Sequence, residues 1–542
     1  MSEIHPAPAD GVAVQGPVLR ALLDDVLPSG SRVLVLGPHG SDVLNLVSAR
    51  AAAVTILNDL PAAATTDDDT RYDVLLAAGG LDLGSSVDGW AERLEALAHL
   101  AAPGAVVVLG LPNEFVLSGL LDSKSSTWPQ PGTAAALAYD DSRPASATDL
   151  AAELNRVGLP ASRVFAAASS GDEPRALIDT TVANATRPGR FAARIAVQAL
   201  EAASSGAELL APLADAADAA AQAGLLSSTL SGWLAVSGPT GGRSVYTRIP
   251  GHDTVLAADR SRTAEDAWDV RVTAGSAEDD PSAPAAFTPS AIPAVIPDAV
   301  SVEHTLIRLA AAEDVPAFRT VAASLGAWAR AEYAATKPTP ERLPFWTWDE
   351  LVADGAGFVP GIAPWRTTKS ESVEDLLAAA WFRFHNRLVA GHRHHPWPAW
   401  TRGDDLVSTW LDMSGVEVTP ALLARGRELA DAIACTATGD PDLRSALLAA
   451  DEARQEATEL AAHIGSLEQA LAYRDRQLLV RENRIRRLRA ELQTAAAERD
   501  EVSAEKARLR QSRTYQVANQ LRRATLLTRP SKLAAALRNR IR

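Results

Sequence analysis

The stretch Arg32-Val33-Leu34-Val35-Leu36-Gly37-Pro38-His39-Gly40-Ser41-Asp42 decides how the first third of the chain is read. A short apolar run rich in β-branched residues and stopped by glycine reads as a buried strand. Gly37 to Asp42 then reads as a tight turn, and Val43 to Arg50 returns to helical spacing. Upstream, residues 17–27 (PVLRALLDDVL) also show helical spacing, broken at Pro28-Ser29-Gly30-Ser31. Downstream, Ala53 to Leu57 reads as a second strand closing on Asn58-Asp59, and Tyr72 to Ala78 as a third ending at Gly79-Gly80. Trp90 to Leu100 is an amphipathic helix, Pro103-Gly104 a turn, and Ala105 to Leu109 a fourth strand. A helix over 147–158 and a strand over 162–166 follow. Alternating strands and helices, with strands apolar on both faces, predict an α/β fold on a parallel sheet covered on both sides. Ligands of such sheets sit at the carboxyl ends of the strands, where Gly37, Asp59 and Gly79 stand.

Further along, residues 185–235 are alanine-rich and read as helical. Residues 273–298 are rich in Pro, Ser and Ala and read as a linker or long loop. Residues 300–440 hold most of the tryptophans without a period-2 pattern and read as mostly helical. The expected organisation is residues 1–185, a helical extension over 186–240, a middle domain over 241–445, a coiled coil over 446–511 and a basic tail over 512–542.

The composition is that of a globular chain, with 47% hydrophobic and 22% charged residues. The single cysteine, Cys435, excludes a disulfide within one chain and a cysteine-based zinc site. The N-terminus shows no signal-peptide pattern, and no uninterrupted apolar run of about 18 residues occurs, so a cytoplasmic protein is expected. The net charge of −15 conceals an asymmetry: 11 of the 52 basic residues follow Glu505, after which no acidic residue stands. The body is therefore expected to repel nucleic acid and anionic lipid, and the tail to attract them.

From Leu460 an apolar seven-residue pattern begins. One series is Ile464, Leu471, Leu478, Ile485 and Leu492; the other is Leu460, Leu467, Leu488, Ala495, Val502 and Leu509. Arg474 and Arg481 interrupt the second series, and Arg499 and Lys506 end the first. Such a repeat predicts a supercoil of two or more helices, hence a homo-oligomer, with a helix folded back on the body as the alternative. Basic residues interleaved with Val517, Leu521, Leu526, Leu527, Leu533, Leu537 and Ile541 suit an anionic membrane surface or an acidic protein partner. No nucleic-acid partner is expected, since the tail lacks interleaved aromatics beyond Tyr515.

The order strand, glycine turn, helix, strand ending in an acid, strand ending in Gly-Gly, helix, Pro-Gly, strand resembles class I S-adenosylmethionine-dependent methyltransferases over residues 15 to 185. The matching pieces are Val33 to Gly40, Val54 to Asp59, Tyr72 to Leu76, Leu100 to Val108 and Leu111-Pro112-Asn113. The resemblance implies a Rossmann-like sheet and S-adenosyl-L-methionine as cofactor. It places Gly37 and Gly40 against the cofactor's amino-acid portion, Asp59 at the ribose and Gly79 near the adenine or the methyl donor, with Pro38, His39 and Asn58 also among the cofactor-binding residues. The sequence departs from the family at Val35, where an acid is usual, and at His39 and Ser41, where further glycines are usual. Asp42 or Asp82 would have to replace that acid, and His39, Asp82 and Asn113 are the candidates for a base. The layout, with a methyltransferase-like part first and a coiled coil last, resembles bacterial surface-glycan proteins. Among these are O-antigen chain-terminating enzymes with methyltransferase and kinase parts. A Gly-rich phosphate loop and a His-Arg-Asp triplet are both missing here.

His385, His392, His394 and His395 cluster before Pro396-Trp397-Pro398 but have no neighbouring acid in the sequence, so no metal site is expected. Two readings of function follow. One is a methyltransferase acting on a glycan or its precursor in polysaccharide biosynthesis, peripheral on the inner membrane face. The other is a non-catalytic oligomeric scaffold of a glycan-assembly complex with a degenerate cofactor pocket.

Overall fold

The computed structural model describes the chain except residues 1–12, 59, 61–70, 82–88, 122–139, 205–208, 240, 250–251, 265, 275–284, 336–342, 356, 369, 371, 391–392, 399–400, 402, 439–440 and 528–542. It divides into two compact units, Met1–Glu456 and Ala457–Arg542.

One 11-stranded sheet organises the first unit. Its strands begin with β1 (Arg32–Leu36), β2 (Ala53–Leu57), β3 (Tyr72–Ala77), β4 (Ala101–Pro112), β5 (Ala161–Ser170) and β6 (Glu173–Asp179). They continue with β7 (Gly232–Ser237), β8 (Val245–Arg248), β9 (Val255–Arg260) and β10 (Ala267–Ala274). After β11 (Ala285–Phe287), which lies outside this sheet, β12 (Val295–Pro297) closes it in the order β12-β10-β9-β8-β6-β5-β7-β4-β3-β1-β2. Short strands β13 (Val352–Asp354) and β14 (Gly357–Val359) pair with each other, and β15 (Trp365–Thr367) pairs with β11.

The first four strands run parallel, as their apolar runs predict. From the β4–β7 pair onward every pairing is antiparallel, so the sheet is mixed rather than parallel throughout. Connection length accounts for part of the change. Parallel neighbours need a crossover of about a dozen residues or more, whereas β5 and β6 are joined by Gly171 and Asp172 alone, which permits only an antiparallel hairpin. Part of the stretch read as a linker is also structured: β11 and β12 come from its C-terminal half, while residues 275–284 lie outside the described residues.

Helices cover both faces of the sheet. The first are α1 (Pro17–Val26), α2 (Ser41–Arg50), α3 (Trp90–His99), α4 (Leu117–Leu121), α5 (Ala147–Arg156) and α6 (Thr180–Ala185). Then come α7 (Phe191–Ala203), α8 (Leu213–Ala223) and α9 (Leu226–Thr229). Alternate strand residues point to opposite faces. Leu34, Leu36, Leu75 and Val107 accordingly share a core with Trp90 and Leu94 of α3, Leu150 of α5 and Phe191 of α7. Val33, Val35, Val74 and Leu76 pack with Leu19 and Leu22 of α1 and Val43 and Val47 of α2. Arg50 fastens α2 to the end of α1: its guanidinium donates to the carbonyl of Asp24 (2.6 Å) and pairs with the Asp24 carboxylate. Ser146 caps α5 by accepting from the backbone N–H of Asp149 at 3.1 Å.

Residues 302–438 form a helical layer: α10 (Val302–Ala311), α11 (Val315–Ala335), α12 (Val373–Ala390), α13 (Gly403–Met413) and α14 (Pro420–Thr438). Its core is aromatic, with Phe318, Trp381, Phe384 and Trp410 mutually in ring contact. The Trp381 indole N–H donates to the Ser414 hydroxyl at 3.0 Å, and that hydroxyl donates to the Trp410 carbonyl at 2.9 Å. Helix α14 lies on α12 where Gly426 faces Ala378, too close for any side chain at residue 426.

In the second unit α15 (Pro441–Gln511), which begins in the first, is followed by α16 (Arg513–Leu527). Its apolar seven-residue series is exposed along the described part, from Leu460 to Leu509. No helix among the described residues is long and apolar enough to cross a membrane.

Replacing Gly426 by Val is expected to wedge α12 from α14 and cost about 1–3 kcal/mol, read as a lowered denaturant midpoint with an unchanged slope. An unchanged midpoint would mean that the two helices do not pack through this contact.

Candidate functional site

The chain leaves β1 through α2 to pair β2 on one side, then returns to place β3 on the other. The ends of β1 and β3 therefore flank a topological switch point, where neighbouring connections diverge and leave a crevice. Of the residues that the resemblance assigns to the cofactor, Gly37 to Gly40 follow β1 and Gly79 follows β3. Gly37 takes a left-handed backbone (φ +78°) at the end of β1, and its N–H donates to the Leu57 carbonyl at 2.7 Å, tying the turn to β2. Pro38 is exposed. The His39 ring is folded back, with Nδ1 3.3 Å from the Gly37 carbonyl oxygen, while its buried Nε2 has no hydrogen-bond partner among the described residues. Burial lowers the His39 pKa, only partly opposed by the Gly37 carbonyl. Gly40 stands at the N-cap of α2, and Asn58 is exposed at the end of β2. Asp59 and Asp82 lie outside the described residues. Gly79 stands two residues past the end of β3, and Gly80 (φ +95°) turns so close to β4 that a Cβ there would stand 3.2 Å from the Gly110 carbonyl oxygen.

A segment absent from the sequence-level site crosses this crevice. The Val14 carbonyl accepts from the Gly40 N–H at 3.1 Å, and the Val14 N–H donates to the Asp172 carbonyl at 2.9 Å. The Gly16 N–H donates to Asp42 Oδ2 at 3.0 Å. Asp42 therefore holds the chain's own backbone at this point. The space over Gly40 is taken by Gln15, and a Cβ on Gly79 would meet the Val14 side chain at 3.1 Å. Asn113 is not placed as a base either. Its amide N–H groups donate to the carbonyls of Ser228 and Leu230, both at 2.8 Å, and to that of Phe115 at 3.1 Å, while its oxygen accepts from the Phe115 N–H. Those bonds make it a clip between the end of β4 and the end of α9 just before β7.

A second constellation is charged and lies between the sheet's cover and the helical layer. It borders a cleft of about 530 Å³, its open mouth included, lined by Arg194, Glu201, Glu303, Asp349 and Arg387 among others. Arg387 on α12 reaches Glu303 on α10 and, at 3.2 Å, Glu201 on α7. Arg383, one turn earlier, clasps Asp349 at 2.8 Å, and Thr347 Oγ1 donates to the same carboxylate. Arg194 on α7 donates to the Asp349 carbonyl at 2.7 Å. The Glu350 carboxylate accepts from Gln198 at 2.9 Å and from the Ile362 N–H at 3.0 Å. Burial pushes the carboxyl of Asp349 upward, but Arg383, Arg387 and Thr347 together outweigh it and hold the group well below its usual range. Glu303 and Glu350 end raised, because burial exceeds the help they receive from Arg387 and Arg194. Each buried acid is paired, so the cluster braces helices across the unit. The sequence carried a signal for it: Asp349-Glu350 stands between the aromatic run Phe345-Trp346-Thr347-Trp348 and Leu351-Val352, and Arg383 and Arg387 are four apart on one helix.

His385 is buried, with Nδ1 3.4 Å from Asn386 Oδ1; His394 is exposed beside Glu313; His392 lies outside the described residues. Among the described residues no group of three or more His, Cys, Asp or Glu could hold a metal ion.

Asp349 sets a pH dependence. Its native pKa lies below the unfolded value of about 3.9, so its stabilisation is complete above that value and is lost as pH falls toward the native one. Glu303 works the other way: its contribution is greatest below about pH 4 and declines as pH rises, since its native pKa is raised. Asp349→Asn is expected to cost about 3 kcal/mol near neutral pH and to flatten the loss of stability between about pH 4 and 2, read from denaturation at each pH. A variant with the acid limb of the wild type would refute this role for Asp349. The sequence matches no protein-family model, and no curated protein matches it significantly.

Proposed function

We propose that the first unit is an S-adenosylmethionine-dependent methyltransferase using the crevice between the ends of β1 and β3. The observation that carries this reading is topological. A switch point in an open α/β sheet is where ligands of such sheets bind, and here Gly37 follows β1 directly and Gly79-Gly80 follow β3 after Ala78. Gly37 brings bare backbone to the crevice floor, and α2 starts at Ser41 with its partial positive charge at that end. A floor of bare backbone suits close approach by a nucleoside-bearing group. The lip does not, because Gln15 and Val14 occupy the space over Gly40 and beside Gly79; entry requires the segment 13–16 to withdraw. Bound there, the cofactor would supply an activated methyl group. The chain would contribute backbone approach at Gly37 and Gly40, hydrogen bonding to the ribose by Asn58 and Asp59, and orientation of an acceptor. In this reading the acceptor is a glycan or glycan precursor, and the basic C-terminal segment holds the protein at an anionic membrane surface or on an acidic partner.

A second reading is favoured by Gln15 and Val14 themselves. If the crevice is a permanent seam, the unit is a scaffold for a glycan-assembly complex and the glycines serve packing.

Calorimetry of the full chain with S-adenosylmethionine distinguishes the two. Saturable heat that disappears in Asp59→Ala supports the enzyme. A variant lacking residues 1–16 separates a closed lip from a dead floor: no heat from either protein refutes the enzymatic reading. Deleting residues 506–542 should abolish co-sedimentation with anionic vesicles at low salt, and undiminished co-sedimentation would refute membrane docking by that segment.

A further inference from the structure

The described part of α15 leaves one stripe of its surface without a partner. In heptad terms Ile464, Leu471, Leu478, Ile485 and Leu492 stand at a, with Arg499 and Lys506 continuing that row. Leu460, Leu467, Leu488, Ala495, Val502 and Leu509 stand at d, with Arg474 and Arg481 in the same row. Ile485 is 48% exposed, Leu488 53% and Leu492 71%, on a helix that has other, polar faces to give to water. A stripe of that kind is stable in water only when another helix covers it. The charges at its edges choose which helix, and in which direction.

We propose that α15 pairs with α15 of a second copy of this chain in antiparallel orientation, with the twofold axis between Arg486 and Arg487. Antiparallel pairing sets a positions against d positions of the other copy. With that axis, Ile464 meets Leu509, Leu471 meets Val502, Leu478 meets Ala495 and Ile485 meets Leu488. Arg481 then lies against Leu492 and Lys506 against Leu467, where long aliphatic stems cover the leucine and the charged ends reach water. Arg474 opposite Arg499, made twice by symmetry, is the one like-charged combination. In a parallel pair each a or d residue faces its own counterpart, and Arg474, Arg481, Arg499 and Lys506 would all make like-charged layers.

The flanking g and e positions point the same way. In the antiparallel register Arg484 at g meets Glu491 at g, and Glu482 at e meets Arg489 at e; symmetry makes each pair twice. In a parallel pair Arg484 would face Arg489, cation against cation. Sliding the antiparallel register by one heptad either way sets Arg484 against Arg484 and Glu482 against Glu482, or Glu491 against Glu491 and Arg489 against Arg489. Within one helix Arg486 already lies 3.6 Å from Glu482 and Arg487 2.9 Å from Glu491, so the axis falls in a belt of mixed charge. Like charges across an interface select against wrong registers more than attractive pairs add affinity.

The test uses the full chain with Cys435 replaced by Ser and a spin label at Gln469, an exposed position off the stripe. Antiparallel pairing about this axis separates the two labels by about 50 Å, at a rise of about 1.5 Å per residue. Parallel pairing holds them within about 20 Å, the width of two helices. A double electron–electron resonance peak near the longer distance supports the proposal; a short distance, or a monomer at all concentrations, overturns it. A second measurement does not depend on the label. Ile464→Cys with Leu509→Cys should give oxidised dimers, whereas Ile464→Cys alone should not. Dimers from the single variant would overturn the antiparallel register. Arg484→Glu should weaken dimerisation several-fold, and adding Glu491→Arg should restore it.

Discussion

Three arginines, Arg194, Arg383 and Arg387, lie largely out of water between the sheet's helical cover and the layer of helices that follows it. A charge stripped of water is tolerated only beside an opposite charge with good geometry, and breaking such a pair leaves an uncompensated ion. Asp349, Glu303, Glu350 and Glu201 meet that demand only if α7, α10 and α12 take one mutual arrangement. Apolar packing alone allows helices to slide by a fraction of a turn at modest cost, whereas a clasp such as Arg383 on Asp349 does not. The network therefore makes one compact unit of residues that the sequence divides between an α/β part and a helical part.

The parallel strands show the opposite balance between local rule and context. Glycine ends at β1 and β3 expose backbone at the switch point, the usual place for a ligand, yet the chain lays its own residues 13–16 across it. Hydrogen bonds from Gly40 to Val14, from Val14 to Asp172 and from Gly16 to Asp42 hold that segment, each of ordinary length. A segment fixed by a few such bonds is easier to displace than a packed helix. The competition between this segment and a ligand is the physical question on which enzyme or scaffold turns.

In the second unit the apolar repeat and the charges answer different questions. In the proposed pair the repeat supplies the shared stripe and is nearly indifferent to direction, since the a and d rows are both largely aliphatic. Direction and register are left to Arg474, Arg481, Arg484, Glu482, Arg489 and Glu491, which cost most when placed beside their own kind.

By itself the sequence determined the elements with a clear period: β1 to β4, the helices α1, α3 and α5, and the long helix with its exposed seven-residue stripe. Those features depend on neighbours in the chain, through strand alternation, glycine stops and helical spacing, and so are legible residue by residue. It also located the turn at Gly37 to Gly40. What it did not show is that β7, from after the alanine-rich helices, inserts beside β4, that antiparallel strands carry the sheet on to β12, or that Val14 and Gln15 cover the glycines. Nor did it reveal that Asn113 would be saturated by carbonyls, or that acids near residue 349 would meet arginines near residue 385. Each of these is a contact between residues far apart in the chain. Pairing of distant backbone groups and compensation of buried charge are settled only when the tertiary structure brings both partners out of water together.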